Sequence, residues 1–494
     1  MTSSGTMTRE QIYIAGKWQR PGDTDWVDLV DPSTEEVFTR APLADDAAVD
    51  AAVSAARLAF DRGPWPRLTR DERMAVLLKL ASFLEKHSAE YGQQVVSEIG
   101  LPLPFARGGV INAARQARYV AEVYSSYPWQ EGRRGVTGID TVIERVPVGV
   151  VAAIVPWNSS FSLSASKLFP ALLAGCTMIL KASPLNALSA LGFADAAEYA
   201  GLPEGVLSVF AAAAGPSDHL VRHPGVDKIA FTGSDAVGRS IAAAAAPSFK
   251  RVTLELGGKS GGIVLPDTSL ERLTQAVPPS FTLNNGEACA AMTRLIVPES
   301  RAEEIVTAVA AEVAKIPVGD PRDPHTAVGP IVTKAQFDRI LALIGSAVQD
   351  GGRIVVGGQR PEYLERGYYI APTIIDHVAP ESRIAQEEVF GPVLTALTYP
   401  DSDIDRAVEI ANGTNYGLSA AVFGEDDGQV RAVAERLRSG SVHLNNGFTV
   451  DIGIPFGGFK CSGLGREFGP EGIDPYVESR AIFLNGRPYV TKGT

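Results

Sequence analysis

The sequence predicts an α/β protein built from two open, doubly wound sheets and a small extra β element. Three observations carry this. From Val150 to Gly258, strand-like and helix-like segments alternate strictly, the rhythm of a parallel sheet with helices on both faces. After Cys289 the alternation resumes more loosely, as a second unit. The 494 residues, 45% of them hydrophobic, allow two to four domains at about 150 residues each, with ample cores.

In order, residues 1 to about 11 are polar and expected to fray. Ile12–Gln19 and Trp26–Ala44 read as short strands with turns at Gly16, Pro21-Gly22 and Pro32. Asp45 caps a helix to Asp61, and apolar residues at helical spacing continue over Leu68–Gly100 and Gly108–Tyr127. Thr137–Arg145 alternates as a half-exposed strand does, whereas Val150–Val155 is uniformly apolar, as in a buried parallel strand. A helix follows from about Ser164. Strands over 177–183, 206–212, 226–233 and 250–258 then alternate with helices over 187–200, 217–225 and 235–246. In the second unit, strands at 293–298, 353–358, 393–400, 419–424 and 441–446 mix with helices at 301–316, 334–351, 403–413 and 427–440. Arg480–Thr491 reads as an exposed strand, an edge liability that calls for a partner in another subunit.

A net charge of −12 excludes nucleic acid and an anionic membrane as main partners, though a helix N-terminus still binds a small phosphate locally. Three cysteines without CxxC spacing form neither a disulfide framework nor a metal site and point to a reducing compartment. With no apolar signal core and no run of about 18 apolar residues, the expectation is a soluble, cytoplasmic protein.

The chemistry centres on Thr253–Ser260, TLELGGKS, and on Cys289 in NNGEAC. A thiol nucleophile needs a base and a tightly bent backbone to present it, and these segments offer both. Free cysteines are more often buried hydrophobes than nucleophiles; Cys176, in an apolar run, reads as packing, and Cys461 as loop packing. Glu255 ends an apolar strand beside Gly257-Gly258, either as a site carboxylate or as a solvated strand end. A third reading competes. Gly233 and Gly238 in FTGSDAVGR resemble a phosphate loop, and Glu255 lies about 20 residues on, where the dinucleotide fingerprint places a ribose ligand. Asn158, in PWN, follows a buried strand and could donate to an oxyanion or cap a helix. Lys181 ends the next strand, where it is either a ribose or phosphate ligand or simply solvated. Glu387–Val393, EEVFGPV, either forms a packed turn or sets Phe390 against a flat ring with a carboxylate on a sugar. Pro455–Gly469 is Gly-rich, for ligand approach or for close packing.

Taken in order, PWN, ILKAS, FTGSDAVGR, LELGGKS, NNGEAC, EEVFGPV, NYGLSAAVF and PFGGFKCSGLGRE resemble the aldehyde dehydrogenase superfamily, over nearly the whole chain. The resemblance implies two Rossmann-like domains: NAD(P)-binding from 1–126 with 148–257, and catalytic from 258–457. It also implies oligomerisation strands at 127–147 and 473–494 and a connecting segment at 458–472. It implies Cys289 as nucleophile, Glu255 as general base and Asn158 with a backbone N–H as oxyanion hole, converting an aldehyde to a carboxylic acid through a thioester. Lys181 would lie at the adenosine ribose, Gly233 and Ser234 at the pyrophosphate, Glu388 at the nicotinamide ribose and Phe390 near the nicotinamide. Pro156, Trp157, Ser183, Pro184, Gly215, Phe231, Val237, Leu256 and Gly257 complete the implied cofactor surroundings. A homodimer or homotetramer follows by resemblance. Glu255 favours water over coenzyme A as acyl acceptor; an acylating semialdehyde dehydrogenase and a non-catalytic binding role stay open as alternatives.

Two departures stand out. Where the family often carries a ribose-binding glutamate this chain has Pro184, which weakens the case for strict NAD preference: the cofactor is NAD or NADP, with NAD favoured and dual use open. After PWN, Ser159, Ser162 and Ser166 stand where bulky groups are common, and with Ala288, Ala290, Phe448 and Phe456 they predict a roomier or more polar substrate tunnel.

Overall fold

The structure, a computed structural model, describes residues 9–22, 25–123 and 125–484. Among these, the first sheet orders eight strands as Gly463–Leu464, Arg251–Glu255, Lys228–Thr232, Val150–Ile154, Thr177–Ala182, Leu207–Ala211, Ile12–Ile14 and Lys17–Gln19. The five from Arg251–Glu255 to Leu207–Ala211 are parallel. Alternate residues feed opposite cores. Val151, Ala153, Met178 and Leu180 enter one, and Val150, Ala152, Ile154 and Ile179 the other. Both faces are covered, so these strands are apolar throughout. The chain moves outward from Val150–Ile154 through the next two strands, then returns to lay Lys228–Thr232 on its other side. Open sheets bind ligands outside the carboxyl ends of strands at such a reversal.

The second sheet orders seven strands as Arg353–Val356, Thr373–Asp376, Val393–Tyr399, Met292–Pro298, Ser260–Val264, Ser419–Phe423 and Ser441–Leu444, parallel except for the first. It too separates two cores. A three-stranded antiparallel sheet joins Val477–Phe483, Asp140–Pro147 and Gln130–Arg134, and Trp26–Asp31 pairs with Glu36–Pro42 as a hairpin. Of the strand expected to reach Thr491, residues 485–494 lie outside the described residues, as do 1–8 at the other end.

Helix starts follow their caps. The Asp45 side chain accepts from the Ala48 N–H, and Thr69 with Glu72 forms a reciprocal capping box. The single helix expected over 68–100 is two, Arg70–Lys86 and Ser88–Ile99, broken at His87, whose ψ of 13° leaves the helical range. The helix expected from Gly108 starts earlier, at Leu103. Leu270–Thr282 is helical despite Pro278 and Pro279, because Leu273, Val277 and Phe281 are fully buried and tertiary packing outweighs propensity. Gly463–Leu464, from the Gly-rich segment, pairs with Leu254 and Glu255 and so joins the first sheet. Among the described residues no helix is long and apolar enough to cross a membrane, and no group of three or more His, Cys, Asp or Glu is arranged to hold a metal ion.

Candidate active site

Cys289 is presented by a left-handed turn. Asn284, Asn285 and Gly286 all have positive φ, at 56°, 60° and 76°. That conformation costs a non-glycine residue energy and persists only when its surroundings hold it. Here the Asn285 amide donates to the Gly100 and Pro330 carbonyls at 3.1 and 3.0 Å, and its oxygen accepts from the Gly329 N–H at 2.7 Å. Asn284 donates to the Asn158 and Glu287 carbonyls at 2.7 and 3.0 Å, tying this turn to the end of the strand Val150–Ile154. A Cβ on Gly286 would sit 2.2 Å from the Gly391–Pro392 peptide, so the turn admits only glycine there.

The pair Gly257-Gly258 is explained by close approach. A Cβ on Gly258 would lie 2.2 Å from the Cys289 carbonyl, and one on Gly257 2.6 Å from Glu388 Oε2. The Gly258 N–H donates to Glu388 Oε1 at 2.9 Å. Two backbone positions thus set thiol and carboxylate side by side. Ser462 pins the same segment from the Gly-rich loop: its hydroxyl donates to the Gly257 carbonyl at 2.7 Å, and its own carbonyl accepts from the Leu256 N–H at 2.9 Å. That loop therefore serves close packing rather than phosphate binding.

A cleft of about 570 Å³ opens at the reversal in the first sheet. Its walls include Pro156, Trp157, Gly233, Ser234, Leu256, Gly257, Glu388 and Phe390, all anticipated, together with Gln336, Arg339 and Tyr416, which were not. Phe390 has a φ of 55° and meets Trp157 edge-on, with ring centroids 5.7 Å apart. Gln336 and Arg339, on the helix Lys334–Gln349, donate to the carbonyls of 388–390 at 2.7–3.0 Å and hold that strained turn. Lys181 and Ser183 are not among the cleft walls. Lys181 is buried at its strand end, which lowers its pKa to about 8, and the Ser183 hydroxyl accepts from the Leu185 N–H beside Pro184. Gly215 lies in the first turn of the helix Ala214–Arg222, Phe231 is buried in its strand, and Val237 is exposed on the helix Asp235–Ala245. Gly238 packs against Leu256, which a Cβ would strike at 2.6 Å, so it is a helix-packing glycine.

A second cavity of about 260 Å³ meets the cleft at Asn158, Leu163 and Cys289. Ser159, Ser162, Ala288, Ala290, Phe448 and Phe456 line it, as expected. Ser166 does not; it is buried and donates to Glu467 Oε2 at 2.7 Å. Nor is the cavity markedly polar. Phenylalanines and aliphatics make most of its wall, and Ser162 is occupied by Asn112 at 3.2 Å. Of the roomier or more polar tunnel expected from the three serines, the placement of Ser166 and the more polar alternative are corrected accordingly.

Asn158 is buried, and its Nδ2 donates to the Glu287 carbonyl at 2.8 Å. Ser159, not Asn158, occupies the N-cap of the helix Ser160–Ala174. Burial pushes the half-buried Cys289 thiol up to about 12, and the carboxylates of Glu388 and Glu255 add to this, against backbone N–H groups at Cys289 and Ala290. Burial likewise raises Glu388 to about 7, although the Gly258 N–H and the cations of Lys259 and Arg339 oppose it.

Glu255 is no solvated strand end: it is 3% exposed, and neither carboxylate oxygen has a hydrogen-bond partner. It lies outside the cleft walls, against Gly457, where an added Cβ would stand 2.9 Å from Oε1. Burial raises its pKa well above the ordinary range, and Glu467 raises it further. Lys167, fully buried, donates to Glu467 Oε1 at 2.6 Å and to Thr232 Oγ1 at 2.7 Å. Two buried carboxyl groups thus lie near one buried ammonium: Glu467 takes the ion pair with Lys167, and Glu255 is left without a hydrogen-bond partner. Sequence reasoning quoted Glu467 within the Gly-rich motif without giving it a role, and missed Lys167.

The family comparison decides the class. The aldehyde dehydrogenase family model matches residues 18–482. The chain belongs to the aldehyde dehydrogenase family. It is similar to the geranial dehydrogenase of Castellaniella defragrans, at 40% identity over 490 residues, covering 97% of this chain and 100% of the relative. It is 35% identical to the chloroplastic betaine aldehyde dehydrogenase of Beta vulgaris, over 96% of this chain and 95% of that one. Among solved structures, an aldehyde dehydrogenase of Mycobacterium tuberculosis complexed with NAD+ superposes with a TM-score of 0.94 at 38% identity, over 97% of this chain and 99% of that one. A mutant of aldehyde dehydrogenase C from Pseudomonas syringae, complexed with NAD+ and octanal, gives 0.92 at 40% identity, over 97% and 98%. This enzyme is therefore an oxidoreductase acting on aldehydes with NAD(P)+, and the position of Cys289 is consistent with the catalytic cysteine.

Proposed function

We propose that the enzyme converts an aldehyde to the free carboxylic acid through a thioester on Cys289, with Asn158 and Glu255 as its other catalytic groups. The observation that carries this is the place of the thiol: Cys289 and the Asn158 amide stand where the long cleft meets the apolar cavity. The cleft fits a nicotinamide dinucleotide. It lies at the sheet reversal and runs past the N-terminus of the helix Asp235–Ala245, where N–H groups suit the pyrophosphate at Gly233 and Ser234. Asp235, in that turn, is paired with Arg239 at 3.7 Å. Glu388 suits the hydroxyls of a ribose and Phe390 the edge of the nicotinamide, while Lys181 belongs to the adenosine end. NAD is the favoured cofactor, as in the NAD+ complexes of its relatives, and because Pro184 leaves no carboxylate at that position to repel a 2′-phosphate, NADP is a usable one. When bound, the dinucleotide supplies the two-electron acceptor and a positive charge near the thiol.

The Cys289 sulfur, as thiolate, bonds to the aldehyde carbon, and the carbonyl oxygen becomes an oxyanion. The second Asn158 amide hydrogen and the Cys289 N–H donate to it, each such donor contributing roughly a hundred- to a thousandfold in rate. Loss of hydride leaves the thioester. Glu255 then turns from Gly457 toward the sulfur, takes a proton from water, and the resulting hydroxide adds to the thioester carbon. Collapse breaks the C–S bond and returns the thiolate.

Among the described residues the three-stranded sheet leaves the edges of Val477–Phe483 and Gln130–Arg134 unpaired, and Phe483 and Val136 are exposed there. These strands are the proposed subunit-pairing element, giving a homodimer or homotetramer, with 1–126 and 148–257 as the cofactor-binding domain and 258–457 as the catalytic one. Three free cysteines suit a reducing, cytoplasmic setting. The test is reduced-nicotinamide formation over a panel of aldehydes with NAD+ and NADP+, for the wild type and Cys289→Ala. Turnover abolished in the variant supports the assignment; equal turnover, or turnover only with coenzyme A, overturns it.

A further inference from the structure

The cavity beyond Cys289 carries information about what it receives. No Asp, Glu, Lys, Arg or His lines it. Its amides serve the protein itself: Asn112 donates to Ser162, Asn284 to the Asn158 and Glu287 carbonyls. A charged head group drawn inside would shed its water and meet no counter-charge, a penalty that no contact here offsets.

The wall residues adjoining Asn158 and Cys289 in the chain are small, with Ser159 following Asn158 and Ala288 and Ala290 flanking Cys289, while Leu163 also stands at the junction with the cleft. Phenylalanine rings stand elsewhere along the wall, with centroids of Phe448 and Phe456 6.4 Å apart and of Phe456 and Phe468 6.2 Å apart. Phe105 and Val450, 47% and 45% exposed, mark the mouth. Small side chains beside the thiol leave room at the carbons adjoining the carbonyl, and the rings grip the rest of an apolar molecule. Ser159 contributes space and nothing else that the structure records. It sits at a helix N-cap, yet its side chain makes no capping hydrogen bond.

We propose that the enzyme's substrates are uncharged, apolar aldehydes that carry a branch, a substituted double bond or a ring at the carbons next to the carbonyl, and that Ser159 is the residue that admits the substituent. This rests on Cys289 as the nucleophile. The experiment compares kcat/KM for hexanal, 3-methylbut-2-enal, benzaldehyde, trimethylammonioacetaldehyde and 4-oxobutanoate, in the wild type, Ser159→Ala and Ser159→Phe. In the wild type the neutral aldehydes exceed the two charged ones by at least about a hundredfold. Relative to hexanal, the branched and aromatic aldehydes lose at least about tenfold in Ser159→Phe, the scale on which a filled apolar pocket discriminates. In Ser159→Ala, which keeps the space and removes the hydroxyl, the same ratio stays within about threefold of wild type. Charged aldehydes turned over as well as neutral ones, or a ratio unmoved in Ser159→Phe, overturns the proposal while leaving the nucleophile intact. A ratio that collapses in Ser159→Ala assigns the effect to the hydroxyl and overturns the role given to space. No turnover of any aldehyde by the wild type defeats the parent reading instead.

Discussion

Without a dinucleotide bound, Cys289 should be a poor nucleophile. Burial and the carboxylates of Glu388 and Glu255 move its thiol from an ordinary 9 to about 12. At pH 8 that takes the thiolate from about one molecule in ten to about one in ten thousand. Iodoacetamide reacts with the thiolate, so alkylation at Cys289 should run about a hundred- to a thousandfold slower than at a free thiol, and should climb without levelling as pH rises through 10. The half-exposed Cys461 provides an internal comparison when the two peptides are resolved by mass spectrometry. Glu388→Gln removes the larger of the two carboxylate contributions and should speed alkylation of Cys289 several-fold at pH 8. NAD+ should speed it in the wild type, because a positive charge near the sulfur favours the thiolate. A rate that levels off below pH 9 in the ligand-free enzyme, or a Glu388→Gln variant no faster than wild type, would mean that these groups do not govern the thiol.

Lys167→Met should destabilise the fold by about 3–5 kcal/mol in urea titrations, because it strands the Glu467 carboxylate without its buried partner; an unchanged midpoint would show that this buried pair does not support the fold. Gly258→Ala should abolish turnover while circular dichroism stays native, since its Cβ would fall 2.2 Å from the Cys289 carbonyl and displace the thiol; retained turnover would refute that dependence. Glu98 is buried and accepts from the Leu188 and Ser189 N–H groups, with burial raising it to about 7. The folded protein keeps a proton that the unfolded chain releases nearer 4.5, so stability on the order of a few kcal/mol is lost as pH rises through 7. Glu98→Gln should flatten that loss between pH 5 and 7.5, and an identical slope in the variant would remove Glu98 as its source.

Much of this architecture was legible because the two central sheets are buried on both faces, so their strands stand out as uniformly apolar runs between helical periods. The motif around Glu255 and Cys289 was legible because its glycines answer to steric contacts that any chain in this shape must satisfy. Lys167 and Glu467 were not, since they are separated by 300 residues and meet only in the folded chain. Lys167 sits in a helix with no other charged residue, where a lysine ordinarily turns outward. Ser166 was misplaced for a related reason: the count of small residues after Asn158 says nothing about how far along the helix the tunnel reaches, and Ser162 and Ser166, one turn apart on the same face, meet the tunnel and Glu467 respectively. The division at His87 lacked a proline or glycine to announce it, and the Pro278-Pro279 helix carried a signal that argues against helix and is overridden by burial.

The central claim, that Glu255 acts on a Cys289 thioester rather than on its formation, is tested most directly by rapid mixing of Glu255→Gln with saturating NAD+ and hexanal. The account predicts a burst of reduced nicotinamide approaching one per active site, then a steady rate at least about a hundredfold below wild type, with an acyl adduct on the Cys289 peptide. A steady rate equal to wild type, or a slow rate with neither burst nor adduct, would contradict it.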